Sequence, residues 1–403
     1  MGILIAGFFV LIACVPSMVG SAPALDEATS ELGLDRVFIS ERCGDPAQLS
    51  DALHIYHWSD YIDERIITLF EEECSVDVTM DLYASNEEAI AKIQAGNSGY
   101  DLLVPSDYAV KILIDERLIQ KLKMDIIPNV TNLDPASTGM YYDPENAYSL
   151  PYAWSTTGVA YNVGTFPDVP TSFAALLSCG YSENQGFAYP NSQGVDAGFR
   201  TEQSINVEKG CEHSGFVSML DEQRETIGMA LQYLGHGLNS TDPAHHAQAL
   251  ELLQAQKDCI SGYDSENVIQ TLAAEEVVVA STWSFAAALA YLENEDIRYF
   301  IPEEGGIIWQ DNMVIPSDAP HPYTAHIFIN YLLDPEIGAM LNEWTFSFTP
   351  NAASAPLLSE DYVTTMETVG LMVDDEIRER LEWVLIGEGA ELFADTWESL
   401  KAR

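Results

Sequence analysis

Ala52-Leu53-His54-Ile55-Tyr56-His57-Trp58-Ser59-Asp60-Tyr61 opens the stretch, running on to Tyr108, whose reading decides the fold. Leu53, Ile55 and His57 alternate with Ala52, His54 and Tyr56, which predicts a strand ending near Trp58. A helix is expected over about 61–73, because Ile62, Ile66, Ile67 and Phe70 fall on one face. Val76, Val78, Met80 and Leu82 alternate again as a second strand. Ser85-Asn86-Glu87-Glu88 is a capping box before a helix carrying Ile90 and Ile93, and Gly96 stops it. Asp101-Leu102-Leu103-Val104 reads as a short buried strand, and Ser106 as the cap of a helix bearing Val110, Ile112 and Leu113. The order β-α-β-α-β-α implies a parallel sheet with helices on both faces.

Working outward, Tyr152 to Tyr161 reads as a strand crossing to a second lobe, and a second α/β unit fills roughly 160–300. Glu276–Trp283 is an expected strand, and residues 305–316 a glycine turn followed by a strand crossing back. A helix is expected over about 322–333, and helical segments after Asp374. The expected organisation is therefore a signal peptide at 1–24, an acidic tether at 25–50 and a first lobe at 51–154. A second lobe at 155–305, with an inserted Gly- and Asn-rich loop at about 180–210, precedes a return to the first lobe at 306–350 and a C-terminal helical segment at 351–403. The fold class is α/β and two-lobed, and two crossovers make a hinged cleft between the lobes.

The apolar, uncharged run from Met1 to Gly20 and the small residues Ser21-Ala22-Pro23-Ala24 mark export, although the usual basic start is missing. Leu11-Ile12-Ala13-Cys14 also matches a lipobox, in which Cys14 carries a lipid anchor; the alternative is that Cys14 is one more apolar residue. The other five cysteines, Cys43, Cys74, Cys179, Cys211 and Cys259, form no CxxC pair. An exported chain can oxidise some of them. A Cys179–Cys211 bridge across the loop and free thiols are both open, and pairing does not follow from sequence.

Lys and Arg number 17 against 63 Asp and Glu, a net charge of −46, while 47% of residues are apolar. That is a foldable composition with no footprint for nucleic acid, whose phosphates need clustered Lys and Arg. The charge fits a cationic ligand or a salty habitat. Most of the acids lie outside any motif and read as surface, and their field is screened within about 10 Å at 0.1 M salt. The total charge therefore speaks more to habitat or solubility than to ligand.

Ligands of open α/β sheets bind beyond the carboxyl ends of strands. Here those ends carry Trp58-Ser59-Asp60-Tyr61, Ser85-Asn86 and Ser106-Asp107-Tyr108, with no adjacent Lys or Arg. Aromatic faces with carboxylates suit an ammonium ligand, through cation–π attraction and charge-assisted hydrogen bonds. Each residue has a plainer reading too: Asp60 and Asp107 as helix N-terminal residues, Trp58 as core. Trp309 and Asp311 are two apart on a strand and so face one side, and a carboxylate in that apolar run needs a partner. Glu222 and Glu225 share a face if helical, or are solvated acids of an acidic chain. No HExxH, GxSxG, P-loop or GxGxxG occurs, so an exported hydrolase has no motif behind it. No metal or cofactor is expected.

The segments Tyr56 to Tyr61, Tyr83 to Glu87, Tyr100 to Tyr108, Thr131 to Pro135, Ser149 to Trp154, Gly305 to Asp311, Tyr331 to Pro335 and Thr349 to Asn351, in this order and spacing, resemble the bacterial periplasmic spermidine/putrescine-binding proteins of ABC transporters. The resemblance runs from about residue 52 to the C-terminus. It implies a two-lobed, type II periplasmic-binding fold closing on a polyamine, a non-catalytic role, delivery to an ABC permease, a monomer, and a periplasmic location. By position it implies an aromatic box of Trp58, Tyr61, Tyr108, Trp283 and Trp309. It places Asp311 on one amine, Glu222 and Glu225 on another, and Ser59, Asp60, Ser85 and Ser106 at polar contacts. Two positions depart from the pattern: Ser347 stands where the family often has a contacting Tyr, and Val384 where a Gln is expected. The departures bear on ligand length and selectivity. A sensor subunit of a membrane receptor, or a binding protein for another cationic solute, is the alternative.

Overall fold

The computed structural model describes residues 40–59, 61–166, 168–178, 213–385, 387 and 389–402. Cys14, the tether up to residue 39, Asp60, the loop at 180–210 and both cysteines of the Cys179–Cys211 pair whose bridging the sequence leaves open lie outside the described residues. Strand β1 (Ala52–Trp58) leads through helix α1 (Glu64–Cys74) to β2 (Asp77–Tyr83), then through α2 (Asn86–Gln94) to β3 (Leu102–Leu103) and α3 (Asp107–Asp115). Both β2 and β3 pair with β1 in parallel, as the alternation implies. Helix α1 starts three residues later than expected, because Asp63 takes the N-cap and accepts the Arg65 backbone N–H. The capping box forms: Ser85 Oγ accepts the Glu88 N–H at 3.2 Å, and Glu88 returns a carboxylate oxygen to the Ala84 N–H at 3.0 Å. Gly96 at φ 71° follows the helix, a left-handed conformation that a Cβ would strain.

Two long strands join the halves. Strand β4 (Ser149–Asn162) is fourteen residues long and buried throughout except at Trp154. It precedes β5 (Val217–Met219), α4 (Gln223–Tyr233), α5 (Pro243–Gln256), β6 (Gly262–Tyr263), β7 (Val279–Trp283), α6 (Ser284–Glu293) and β8 (Ile297–Phe300). Strand β9 (Gly306–Val314) then runs back antiparallel to β4 from Thr157 to Ser149. Among the described residues this makes one sheet in the order β2-β1-β3-β9-β4-β7-β5-β6, with β8 beside β4. Both crossing strands are buried along most of their length, including the polar runs Ser155-Thr156-Thr157 and Gln310-Asp311-Asn312.

Separate cores lie at the two ends of the sheet. Leu53, Ile55, Ile66, Phe70, Phe328 and Tyr331 pack together in the first lobe, with Phe70 edge-on to Phe328 at 4.9 Å. Val159, Phe173, Val217, Ile227, Leu252 and Val279 pack in the second. Each fully buried side chain of this size contributes about 1.5–3 kcal/mol. Helices α7 (Pro322–Leu332) and α8 (Pro335–Thr345) close the first core.

The tail departs from the expected run of helices. After α9 (Glu360–Val369), residues Leu381–Trp383 form strand β10, parallel to β9, before α10 (Ala390–Lys401). Three residues beside an existing edge need no long periodic pattern, which is why the sequence reads as helix there. Phe393 and Leu400 of α10 sit in the second core, away from the first. No helix of the described residues is long and apolar enough to cross a membrane.

A disulfide, which the sequence left open, joins Cys43 to Cys74 at the end of α1. Beside it Arg42 pairs with Glu336 at 2.6 Å, Asp334 at 3.2 Å and Glu73 at 3.5 Å. Cys259 is disulfide-bonded as well.

Candidate functional site

The carboxyl end of β3 meets β9 where it enters the first lobe, Leu103 pairing with Val314. Ser106, at the N-cap of α3, does not cap it. Its hydroxyl instead donates to Asp311 Oδ1 at 2.7 Å, while Asn86 donates to the same hydroxyl at 3.0 Å and accepts the Ser106 N–H at 3.1 Å. An isolated antiparallel bridge between Ser106 and Asp311 fixes that approach. Asp311 is 4% exposed. Burial pushes its carboxyl up to about 6, although the Ser106 and Tyr61 hydroxyls oppose the shift.

The aromatic residues split between wall and core. Trp58 is half-buried: its indole N–H donates to the Val104 carbonyl at 2.9 Å and its ring leans on Tyr83 at 4.5 Å. The core and wall readings of Trp58 thus both describe part of it. Tyr61 is buried against Tyr152 at 5.4 Å and reaches Phe285 of the second lobe at 6.1 Å. Its hydroxyl is buried with no hydrogen-bond partner of good geometry. Tyr108 donates to Glu87 at 3.2 Å. Ser59 is exposed, and the Ser85 hydroxyl is taken up by its cap.

From the second lobe, Glu222 stands at the N-cap position of α4 without a capping bond, and Glu225 lies in the first turn. Trp283 Nε1 donates to Glu225 Oε1 at 3.4 Å, and Glu225 Oε2 is buried without a partner. Trp309 Nε1 donates to the Thr157 hydroxyl at 3.1 Å, and that hydroxyl also faces Glu225. Burial pushes Glu225 up to about 7. Burial and then repulsion from Glu225, Glu87 and Asp221 push Glu222 up to about 8. Trp309 and Asp311 both lie on β9, two residues apart and so on one side of it, the Asp311 end against Ser106 and the Trp309 ring against Phe285.

Two participants lack a sequence signal of their own, and a third, Asp107, is marked in the sequence only by its place at a strand end. Phe285 lies parallel to Trp283 at 5.7 Å and perpendicular to Trp309 at 6.2 Å, so it joins the aromatic wall to Tyr61. Thr157 links the Trp309 N–H to Glu225. Asp107, 1% exposed, accepts the Tyr108 N–H at 2.6 Å with Oδ1, while its Oδ2 has no partner. Its position beside Ser106 in the strand-end pattern was the available hint. The departing positions are filled differently from the family pattern. Ser347 is buried and offers its carbonyl to the Tyr362 hydroxyl at 2.8 Å, and the Val384 carbonyl takes the Tyr141 hydroxyl at 2.9 Å.

Among the described residues no Lys or Arg forms an ion pair with Asp107, Asp311, Glu222 or Glu225. Arg224 lies between the two glutamates in sequence, yet it donates to the Leu385 carbonyl at 3.0 Å and covers the Phe393 ring at 4.5 Å. No group of three His, Cys, Asp or Glu side chains is arranged to hold a metal ion among the described residues. Buried carboxylates with free oxygens, set among aromatic faces, are a receptor for organic cations.

A family model described as bacterial extracellular solute-binding protein matches residues 65–368. A putrescine/agmatine-binding protein of Pseudomonas aeruginosa is 32% identical over 320 residues, covering 76% of this chain and 80% of its own. A spermidine/putrescine-binding periplasmic protein of Escherichia coli is 30% identical over 356 residues, covering 88% and 92%. The solved structure of a spermidine/putrescine ABC transporter substrate-binding protein from Streptococcus pneumoniae matches with a TM-score of 0.70 at 27% identity, covering 88% of this chain and 99% of that one.

Proposed function

This chain belongs to the bacterial extracellular solute-binding protein family, and from that premise we propose that it captures a linear polyamine outside the cytoplasm and hands it to an ABC permease. The observation that carries the reading is the set of carboxylates from both lobes, the buried Asp311 from one side and the half-buried Glu225 and Glu222 from the other, with no Lys or Arg ion pair to any of them among the described residues. An ammonium group satisfies each, and the rings of Trp58, Tyr61, Trp283 and Trp309 pack on the methylenes between them. The relatives named as putrescine- and spermidine-binding proteins support the same ligand class.

The role is binding, not catalysis. Among the described residues nothing in the cleft is arranged as nucleophile and base, and the carboxylates are set to hold charge. The protein works as a monomer whose lobes close on the ligand through the two crossing strands, β4 and β9. Its place is the periplasm, with Cys14 as the point of lipid attachment if the lipobox is processed.

Isothermal titration calorimetry of the mature protein with putrescine, cadaverine and spermidine, at low and at high salt, tests this. Saturable heat with at least one polyamine is expected. Silence with all of them, in a protein that melts cooperatively, sinks the reading.

A further inference from the structure

Thr157 lies on β4 between the two strands that carry Trp283 and Trp309. It stands opposite Trp283 of β7 on one side and opposite Ile307 of β9 on the other. Further along the β4–β9 pair, Ser155 stands opposite Trp309 and Ala153 opposite Asp311. Residues directly opposite in an antiparallel pair share a face, and so do alternate residues of one strand. The register therefore puts Thr157, Trp283, Trp309 and Asp311 on one face of the sheet. Across that face the Trp309 indole N–H reaches diagonally to the Thr157 hydroxyl, at 3.1 Å.

Thr157 is fully buried, whereas the Trp309 ring is half-buried. The hydroxyl is thus covered, and the ring it holds presents the surface. Phe285 stands perpendicular to that ring at 6.2 Å, and Leu238, Ile307 and Val384 pack against it. Apolar contacts are non-directional, so they keep the ring in place without setting its angle. A hydrogen bond is directional, and the indole has a single N–H to give. The hydroxyl accepts that N–H and still has its own proton, on the side where it faces Glu225.

We propose that Thr157 is a positioning residue of the ligand site that acts through Trp309: its hydroxyl fixes the angle of the indole so that the aromatic face lies along the methylenes of a bound polyamine. The inference rests on reading the cleft as a polyamine site. Without the hydroxyl the indole N–H has lost its acceptor, and the ring turns to find another. A turned ring presents its edge, and the packing and cation–π attraction that depend on its face are lost.

The plainer role is satisfaction of the indole N–H for the sake of the fold alone. Calorimetry with putrescine and spermidine, beside ligand-free melts, separates the two. Thr157→Val keeps the branched shape and removes the hydroxyl, and it is expected to weaken the polyamines that the wild type binds by about fivefold or more. Thr157→Ser keeps the hydroxyl and is expected to stay within about twofold of the wild type, and both variants to melt near it. In a Trp309→Phe background no N–H remains to be held, so Thr157→Val is expected to cost less than about twofold more. Wild-type affinity in Thr157→Val, with or without a lower melting temperature, overturns the role of Thr157, and so does a Thr157→Ser as weak as Thr157→Val. Losses that multiply in the double variant place the action of the hydroxyl on Glu225 instead and overturn the route through Trp309. Should Thr157→Val not melt cooperatively, Thr157→Ala is read in its place, and failure of both makes the hydroxyl a requirement of the fold and overturns the proposal. All of these leave the polyamine reading intact, whereas a wild type that binds no polyamine overturns both.

Discussion

Two acidic clusters in this molecule are built from the same residue types and resolved in opposite ways. On the first lobe, Glu73, Asp334 and Glu336 gather around Arg42, and the adjacent Cys43–Cys74 bridge clips that segment to α1. In the cleft, Asp311 is held by Ser106, Glu225 by Trp283, and Arg224, between the two glutamates in sequence, is turned to a carbonyl and a phenyl ring. The first cluster is complete by itself, whereas the second has no cation of the protein in an ion pair with it among the described residues, which is what the proposed ligand would supply. Chains spend stability on unpaired buried charge where function requires it, and this cleft is such a place.

The comparison breaks most readily through the disulfide. Replacing Cys43 and Cys74 by serine releases a link spanning 31 residues. In the chain-entropy picture that costs roughly 3–4 kcal/mol. Thermal melts are expected to fall by several degrees while polyamine affinity, read by calorimetry, stays the same. A matching fall in affinity would show that the clip and the cleft are one unit.

Asp311→Asn comes next. It leaves an ammonium without its counter-charge, and affinity is expected to fall at least tenfold, about 1.4 kcal/mol or more. Ligand-free stability is expected to hold or rise, because the variant removes a carboxyl that burial already disfavours.

The pH dependence carries two opposite slopes. Glu225 and Glu222 sit at about 7 and about 8 against an ordinary 4.5, so the ligand-free fold holds protons that the unfolded chain has released. Their contribution is fully present below about pH 4.5 and is lost as pH rises through the range from 7 to 8. A cationic ligand needs the ionised forms, so affinity is expected to rise severalfold from pH 6 to pH 8 over the range in which ligand-free stability falls. Melts with and without ligand across that range read both. Parallel slopes would mean the carboxylates do not face the ligand.

The smallest effect is expected from Arg42→Gln. A half-exposed cluster of this kind is worth about 1 kcal/mol, a shift of roughly 2 °C in a protein of this size. Affinity should not move.

Much of the fold is legible locally. The alternation of Leu53, Ile55 and His57, the Ser85-Glu88 capping box and the stop at Gly96 name their elements because the interactions concerned lie within a few residues. Strand β10 was not legible, since three residues carry no period and its edge on β9 is supplied from elsewhere. The site was half legible. Trp309 and Asp311 declare themselves through spacing on one strand, but Phe285 looks like any residue of an apolar helix until Tyr61 of the other lobe is seen against it.

The sequence by itself determined the two-lobed α/β architecture, the aromatic and acidic character of the strand ends, and the absence of a cation beside them, because composition, period and caps act at short range. Tertiary structure decided which acids became a site. Ser106 meets Asp311 across 205 residues, Trp309 meets Thr157 across 152, and Trp283 meets Glu225 across 58. Burial and the lack of a counter-ion separate Asp107 and Asp311 from dozens of solvated carboxylates, and both are properties of the assembled cleft, where desolvation makes an unpaired charge costly enough to select a cationic partner.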